Sequence, residues 1–188
     1  MPSKERQTAD KLVKAYNTMD VSTIIALRTP DCQRVFLPSS LGHPPQSNAI
    51  FQQHLTAMCT IFTSFKIAVD DVIEGTSSDS TKRIIMYISA SGETPVGEYS
   101  NQYVWKMGFT EDGELIKEWS EYVDVGVSRD FFPKLRQEMV RRAAAAAAAA
   151  AAKEEEGSVE AQVKKGEELG QMVRGHYVGM QGGEGGVR

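Results

Sequence analysis

From Tyr99 to Asp124 the chain reads Y-S-N-Q-Y-V-W-K-M-G-F-T-E-D-G-E-L-I-K-E-W-S-E-Y-V-D, a stretch in which carboxylates alternate with phenols and indoles. Asp112-Gly113 between two alternating segments is the strongest short-range signal for a β-hairpin. Side chains along a strand point to opposite faces in turn, so Tyr99, Asn101, Tyr103, Trp105 and Met107 share one face of the first arm. The turn decides which residues of the second arm join them. A bulged turn with Gly113 in the left-handed region sets Trp119, Glu121 and Val123 beside Tyr103 and Trp105. A two-residue turn slips the register by one and substitutes Ser120, Tyr122 and Asp124. The bulged turn is preferred, because it gathers the aromatics on one face with a single acid among them. A carboxylate against an aromatic wall is desolvated, which raises its pKa and fits it for proton transfer. The plain alternative is a surface acid flanked by core aromatics.

Other side chains can serve such an acid. His54, on the apolar side of a helical stretch, has an ordinary pKa near ~6.5 and suits proton shuttling at neutral pH. Arg28 can hold a carboxylate or an enolate, or else pair with Asp31. Tyr99, Tyr103 and Asn101 can donate to a developing oxyanion. Trp105 and Trp119 offer flat walls to an aromatic substrate, with Phe51 and Met58 on the helix of His54 as further lining and His43 as a lid residue. Asp124 divides between catalysis and capping the turn that follows it. Gln102 faces away from the aromatic set.

Positioning these groups requires the elements around them. Ala9, Leu12, Val13 and Tyr16 recur at helical spacing, and Asp20 can cap a second short helix through Leu27. Pro30 breaks it, a short strand spans Gln33 to Leu37, and Pro38 to Gln46 reads as a restricted loop folding over something. Ser47 or Asn48 caps a helix to about Phe62, with Ile50, Phe51, His54, Leu55, Met58 and Ile61 on its apolar side. Strands then cover Phe65 to Glu74, Arg83 to Ala90, Tyr99 to Met107 and Leu115 to Val125. Helices first and an antiparallel meander after define an α+β fold, a curved cone-shaped sheet wrapped by N-terminal helices. Three regions are expected: the cone domain over 1–140, an alanine-rich helical extension over 141–156, and a glycine-rich tail without order over 157–188. Ala143 to Ala152 is an unbroken run of the best helix former with nothing to bury. Nine of the sixteen glycines fall from Gly157 onward.

Composition narrows the function. A formal charge of −4 without a basic stripe argues against nucleic acid as a partner. No apolar run approaches the ~20 residues of a membrane span, and the N-terminus has no apolar leader segment. Cys32 and Cys59 read as free thiols in a reducing compartment, so the cytoplasm is the expected location. The three histidines are far apart, and no H-x-E, H-E-x-x-H or C-x-x-C spacing exists for a metal. Nucleotide-binding glycine loops and the G-x-S-x-G elbow are missing as well.

Two blocks resemble a known family. The ending D-G-E-L-I-K-E-W-S-E-Y-V-D is similar to the last strand of the nuclear transport factor 2-like superfamily, in particular its SnoaL-like proteins. The block R-T-P-D-C-Q-R-V-F-L-P-S-S-L-G-H-P-P-Q-S-N-A-I-F-Q-Q-H-L resembles a filamentous-fungal SnoaL-like subfamily of isomerases and cyclases from meroterpenoid and polyketide-xanthone pathways. The match covers about residues 8–140. The resemblance implies a cofactor-free pocket inside the cone, a small hydrophobic substrate and a homodimer packed through the sheets. Carried over to this chain, it marks Glu121 as the pocket acid, His54 as the helix histidine and Arg28 as the arginine before the proline. Gln102 stands where many members of the subfamily have glutamate. The expected activity is isomerisation or cyclisation of a polyketide- or terpenoid-derived intermediate by acid–base proton transfer. The alternatives are a binding or dimerisation module of the same fold, or an epoxide or lactone hydrolase.

Overall fold

A computed structural model describes residues 1–180 of the chain, and side chains are described except at 156–158 and 169–180. The chain divides into two units, Met1–Met139 and Val140–Arg188.

The first unit opens with helix α1 (Lys4–Asn17), capped by Ser3, whose hydroxyl accepts from the Arg6 N–H at 3.0 Å. Leu12, Ala9 and Tyr16 form its buried face, the helical spacing expected of them. Asp20 caps α2 (Val21–Ala26) through the Thr23 N–H. Strand β1 (Arg34–Leu37) and a 3-10 turn (Ser39–Leu41) lead to α3 (Asn48–Ile61), capped by Ser47. Phe51, Leu55 and Ile61 are buried on α3, whereas Ile50 and His54, expected on the same stripe, are exposed beside it. The strands β2 (Ser64–Thr76), β3 (Lys82–Thr94), β4 (Gly97–Phe109) and β5 (Ile116–Val123) form the expected meander, each running longer or shorter than its apolar core suggested. Helix α4 (Val125–Asp130) follows, and α5 begins at Phe132.

Sheet order is β1-β5-β4-β3-β2, antiparallel except that β1 lies parallel to β5 along the edge. The parallel contact extends upstream, where Arg28 bridges Ile116 and the Thr29 N–H donates to the Ile116 carbonyl at 2.9 Å. On the inner face Ile84, Met86 and Ile88 of β3 meet Trp105 and Met107 of β4 and Trp119 of β5, and α1 and α3 close over them. Asn17 ties α1 to β2, accepting from the Ile67 N–H at 2.7 Å and donating back to its carbonyl at 3.0 Å.

The hairpin has the register in which Tyr103 faces Val123 and Trp105 faces Glu121. Its irregularity lies in the strand rather than in the turn. Phe109 pairs with Ile116 but Gly108 with Glu118, so Lys117 is the extra residue. That bulge lets Ile116 and Trp119, three apart, both face inward. The loop is closed by the Thr110 N–H donating to the Leu115 carbonyl at 3.0 Å.

In the second unit α5 continues to Met180, and the described side chains from Ala143 to Ala152 are exposed, as an alanine run with nothing to bury requires. Residues 157–180, expected to lack order, belong to this helix; Glu, Gln, Val and Lys between the glycines are competent helix residues. The Gly182-Gly183 and Gly185-Gly186 pairs lie outside the described residues. Among the described residues no helix is long and apolar enough to cross a membrane.

Gly113 carries a positive φ of 73°, and a Cβ there would stand 2.8 Å from Lys4 Cβ and 3.0 Å from the Glu5 backbone nitrogen. The same turn accepts from the buried Thr8 hydroxyl at 2.8 Å through the Gly113 carbonyl. Gly113→Ala is therefore expected to cost about 1–3 kcal/mol, from left-handed strain and the displaced start of α1. Equilibrium urea unfolding measures it, and a wild-type midpoint would contradict this view of the turn.

Candidate active site

Glu121 projects from β5 into the floor of the cone and is fully buried. It is flanked by the ring of Trp105 across the β4–β5 ladder and by Trp119 two residues before it, the two indoles meeting edge-on at 5.0 Å. Burial pushes its carboxyl above the ordinary glutamate range; Arg34 opposes that rise most strongly, with smaller help from the Trp105 indole N–H and Arg28. Arg34 Nη2 donates to Glu121 Oε1 at 2.5 Å, while Oε2 is buried without a hydrogen bond among the described residues. The expected acid in an aromatic wall is thus present, and it is ion-paired through one oxygen only.

Arg34 was not among the residues singled out from sequence. It faces inward because β1 is parallel to β5, with Arg34 level with Trp119 and Phe36 level with Glu121. Its guanidinium lies over the rings of Phe36 and Phe51 at 4.4 and 4.5 Å. Its Nη1 donates to Gln46 Oε1 at 3.2 Å, and Gln46 Nε2 lies 3.0 Å from His54 Nδ1. Glu121 and His54 therefore do not meet. Two side chains, Arg34 and Gln46, stand between the buried acid and an imidazole at the rim.

Arg28 is buried and turns inward instead of pairing with Asp31. One nitrogen donates to the Cys32 carbonyl at 3.1 Å and reaches the Gln46 carbonyl at 3.5 Å. Its Nε and Nη1 are buried without partners among the described residues, and its guanidinium lies 4.8 Å over the Phe51 ring that Arg34 also covers. Phe51 thus lies beneath two cations and edge-on to Trp119 at 5.6 Å. Tyr16 joins them from α1, its ring 5.2 Å from Trp105 and its buried hydroxyl without a partner; burial raises its pKa. Two guanidinium groups and one carboxylate leave this interior with one positive charge in excess, and with more free donors than acceptors.

Tyr99, Asn101 and Tyr103 form a second cluster on β4. The two hydroxyls are hydrogen-bonded to each other, and Asn101 Nδ2 donates to Tyr99 at 3.0 Å and to Tyr103 at 3.1 Å. Burial raises both phenol pKa values, and the charge of Glu121 adds to the rise at Tyr103. Each phenol has one proton and they share one hydrogen bond, so one phenolic proton remains to be donated outward. Tyr99 is enclosed by Phe62, Phe65, Phe131 and Phe132, which makes it core more than lining. Met58 is half-buried against the same core. His43 is exposed on the proline-rich loop, edge-on to Phe36 at 5.4 Å, and away from Glu121's hydrogen bonds. Gln102 faces outward as expected, and with Asp70, Tyr87 and Tyr122 it lines a pocket of about 360 Å³ on the sheet's outer face.

Asp124 is a cap. It is exposed, and its Oδ1 accepts from the N–H groups of Gly126 at 2.7 Å and Val127 at 3.2 Å, opening α4. The bulge sends Glu121 inward, and Asp124, three residues on, falls at the strand's end.

No protein-family model matches the chain. It is 26% identical over 137 residues to monooxygenase dmxR10 of Cryptosporiopsis sp. (strain 8999), covering 72% of this chain and 89% of that protein. It is 25% identical over 140 residues to austinoid biosynthesis cluster protein H of Aspergillus calidoustus, covering 71% and 92%. Among solved structures, the pinacolase BvnE from Penicillium brevicompactum aligns with a TM-score of 0.65 at 19% identity, over 72% of this chain and 92% of that one. An NTF2-like protein of unknown function from Burkholderia pseudomallei aligns with a TM-score of 0.54 at 15% identity, over 65% and 92%. These likenesses establish the nuclear transport factor 2-like fold, the one anticipated from the terminal strand.

Asp124→Ala is expected to lower stability by about 1 kcal/mol, the usual worth of an N-cap, while Asp124→Asn stays near wild type because an amide oxygen caps equally well. Urea unfolding of the two variants checks it; equal losses in both would contradict the cap.

Proposed function

We propose that this chain, a protein of nuclear transport factor 2-like fold similar to proteins of fungal biosynthetic clusters, is a cofactor-independent isomerase or cyclase. Its substrate class is a polyketide- or terpenoid-derived intermediate with an acidic C–H beside a carbonyl, and its chemistry is acid–base proton transfer. One observation carries the reading: a fully buried glutamate with a raised pKa, ion-paired through Oε1 and free at Oε2, beside an arginine with two unpartnered nitrogens. The name of one relative, an austinoid biosynthesis cluster protein, supports the pathway class.

Glu121 Oε2 takes the proton from the carbon beside the carbonyl. The C–H electron pair moves into the carbonyl, and the enolate oxygen is received by Arg28 Nε–H or Nη1–H. Such a donor is typically worth about 3 kcal/mol of barrier in a water-poor site. The proton returns from Glu121 to a different atom of the delocalised system, or the enolate carbon adds to a second carbonyl of the same molecule, closing a ring as that C=O π bond breaks and its oxygen takes the proton back from Glu121. In either case atoms are conserved and no electron acceptor is consumed. Arg34 opposes the rise that burial imposes on the Glu121 carboxyl and so favours its ionised form, while burial makes it a stronger base. The spare phenolic O–H of the Tyr99–Tyr103 pair can donate a hydrogen bond to a second oxygen. Phe51, Trp105 and Trp119 supply the flat apolar walls.

Glu121→Gln keeps the shape and removes the base. Turnover is expected to fall at least about 100-fold, the lower range for loss of a positioned acid–base group. The assay is liquid chromatography with mass detection on extracts of a producing host supplied with purified protein. A product of unchanged mass, lost with Glu121→Gln, supports isomerisation or cyclisation. A gain of one water would assign hydrolysis, and a gain of one oxygen atom would assign the chemistry in the name of the first relative. Full turnover by Glu121→Gln would overturn the role of the glutamate.

A further inference from the structure

His54 is exposed at the rim, but it is wired to the buried pair through Gln46, and the wiring has only one consistent proton arrangement. A guanidinium N–H can only donate. Arg34 Nη1 at 3.2 Å must therefore face the oxygen of the Gln46 amide, which leaves the amide NH₂ to face His54 Nδ1 at 3.0 Å. That NH₂ can only donate, so Nδ1 must accept, and the imidazole is neutral with its proton on Nε2. The orientation of Gln46 and the tautomer of His54 follow from the arginine alone.

Protonating His54 breaks the sequence. With Nδ1–H facing the amide NH₂, two donors confront each other. Turning the amide repairs that contact but sets its NH₂ against Arg34 Nη1. The main chain cannot shift to relieve it, because Gln46 and Arg34 exchange both backbone hydrogen bonds at 2.9 Å, and Arg28 reaches the Gln46 carbonyl as well. Among the described residues the charged groups acting on His54 are Arg34 on β1 and Arg136 on α5; both are cationic and, after partial burial, oppose its protonation. Helix α3 itself carries no charged residue between Asn48 and Ile61. Glu121 lies beyond Arg34, on the far side of the guanidinium.

We infer that Gln46 is a positioning residue that couples the protonation of His54 to the seating of Arg34 on Glu121, so that the ion pair is fully assembled only while His54 is neutral. The coupling goes beyond the function proposed above; its effect on turnover rests on that reading, but its existence does not.

The test needs no substrate. The chain has two tryptophans, and Arg34 lies 5.6 Å over the ring of Trp119, so unseating the guanidinium alters their fluorescence. Long-range ¹H–¹⁵N spectra of histidine-labelled protein, with His54 assigned through His54→Gln, are expected to show the Nε2–H tautomer and a pKa below the ordinary ~6.5. A fluorescence step should share that midpoint. Gln46→Leu should leave His54 titrating without the step. In Gln46→Glu the carboxylate accepts from Arg34 and from protonated His54 together, so the His54 pKa should rise by about 1 unit or more above wild type and the step should vanish. The linked stability has a definite sign. The unfolded chain binds the His54 proton more readily, so this contribution is present above the ordinary histidine value and is lost as pH falls from there through the lower folded pKa.

An Nδ1–H tautomer, or a step that survives in Gln46→Leu, would overturn the inference. So would a step that survives in His54→Gln, because Glu121 would then be the group titrating. Failure of these measurements leaves the Glu121→Gln turnover result standing, and loss of the proposed activity leaves the coupling standing.

Discussion

A carboxylate buried at the floor of a cone is costly, and the surrounding structure is arranged around making Glu121 tolerable. Removing an ion from water costs several kcal/mol even after relaxation, and removing one partner of a buried pair typically costs ~3–5 kcal/mol more. Arg34 answers that cost at 2.5 Å, and it can do so only because a short strand runs parallel to β5 along the sheet edge. The parallel pairing puts Arg34 level with Trp119, one inward position before Glu121, where the guanidinium lies on Phe36 and Phe51 while its fork reaches the acid. Strand β1 is four residues long, with all four half-buried, so it adds little to the core on its own account. Its placement makes physical sense as the carrier of the counter-ion.

The register of the opposite strand is held to the same requirement. Side chains alternate, so a slip of one residue along β5 would turn Glu121 and Trp119 out and Ser120 and Tyr122 in. Lys117 absorbs an extra residue before Trp119, which keeps Ile116 in the core while bringing Trp119 and Glu121 to the inner face. The turn at Gly113, held by Thr8 from α1, fixes the other end of that segment. Local turn chemistry, a bulge and a helix contact therefore converge on the direction of one side chain.

What could be read in the sequence divides along the same line. The hairpin, the inward aromatic face and the acid within it were legible because they rest on alternation and an Asp-Gly turn, both local signals. The bulge was expected in the turn and stands at Lys117, because alternation reports only the net register and not where the extra residue is stored. The helices were legible from spacing and from their Ser3, Asp20 and Ser47 caps. Arg34 and Gln46 were not. Arginine in a short strand is ordinarily a solvent-facing residue, and glutamine after two prolines is ordinary loop; their roles come from pairing with β5 across more than eighty positions and from an isolated bridge between them. The inward polar alternation of Arg34 with Phe36 was the available hint, and it acquires meaning only once the partner strand is known. His54 was expected on the apolar side of its helix as a proton shuttle meeting the acid, but a helical stripe has edges. One position off the line of Phe51, Leu55 and Met58, the imidazole reaches solvent and touches the site through an amide.

The balance of polar atoms bears on the kind of guest that the proposed chemistry requires. A site meant only to be structurally satisfied would match Glu121 with one cation and cover the remainder with apolar side chains. Here a second guanidinium lies over the same phenylalanine, and it holds two nitrogens unpartnered among the described residues, as are the Trp119 N–H and the Arg34 Nε. Each such donor, left buried and unbonded, costs about 1–3 kcal/mol. A hydrocarbon guest would leave all of that cost in place. A guest whose oxygen gains negative charge as it reacts recovers part of it at the moment the charge appears, which is the condition for a donor to lower a barrier instead of merely tightening binding. The same arithmetic separates the two arginines. Arg34 makes its shortest bond to Glu121, whereas Arg28 donates to the backbone carbonyls of Cys32 and Gln46 and keeps Nε and Nη1 unpartnered among the described residues.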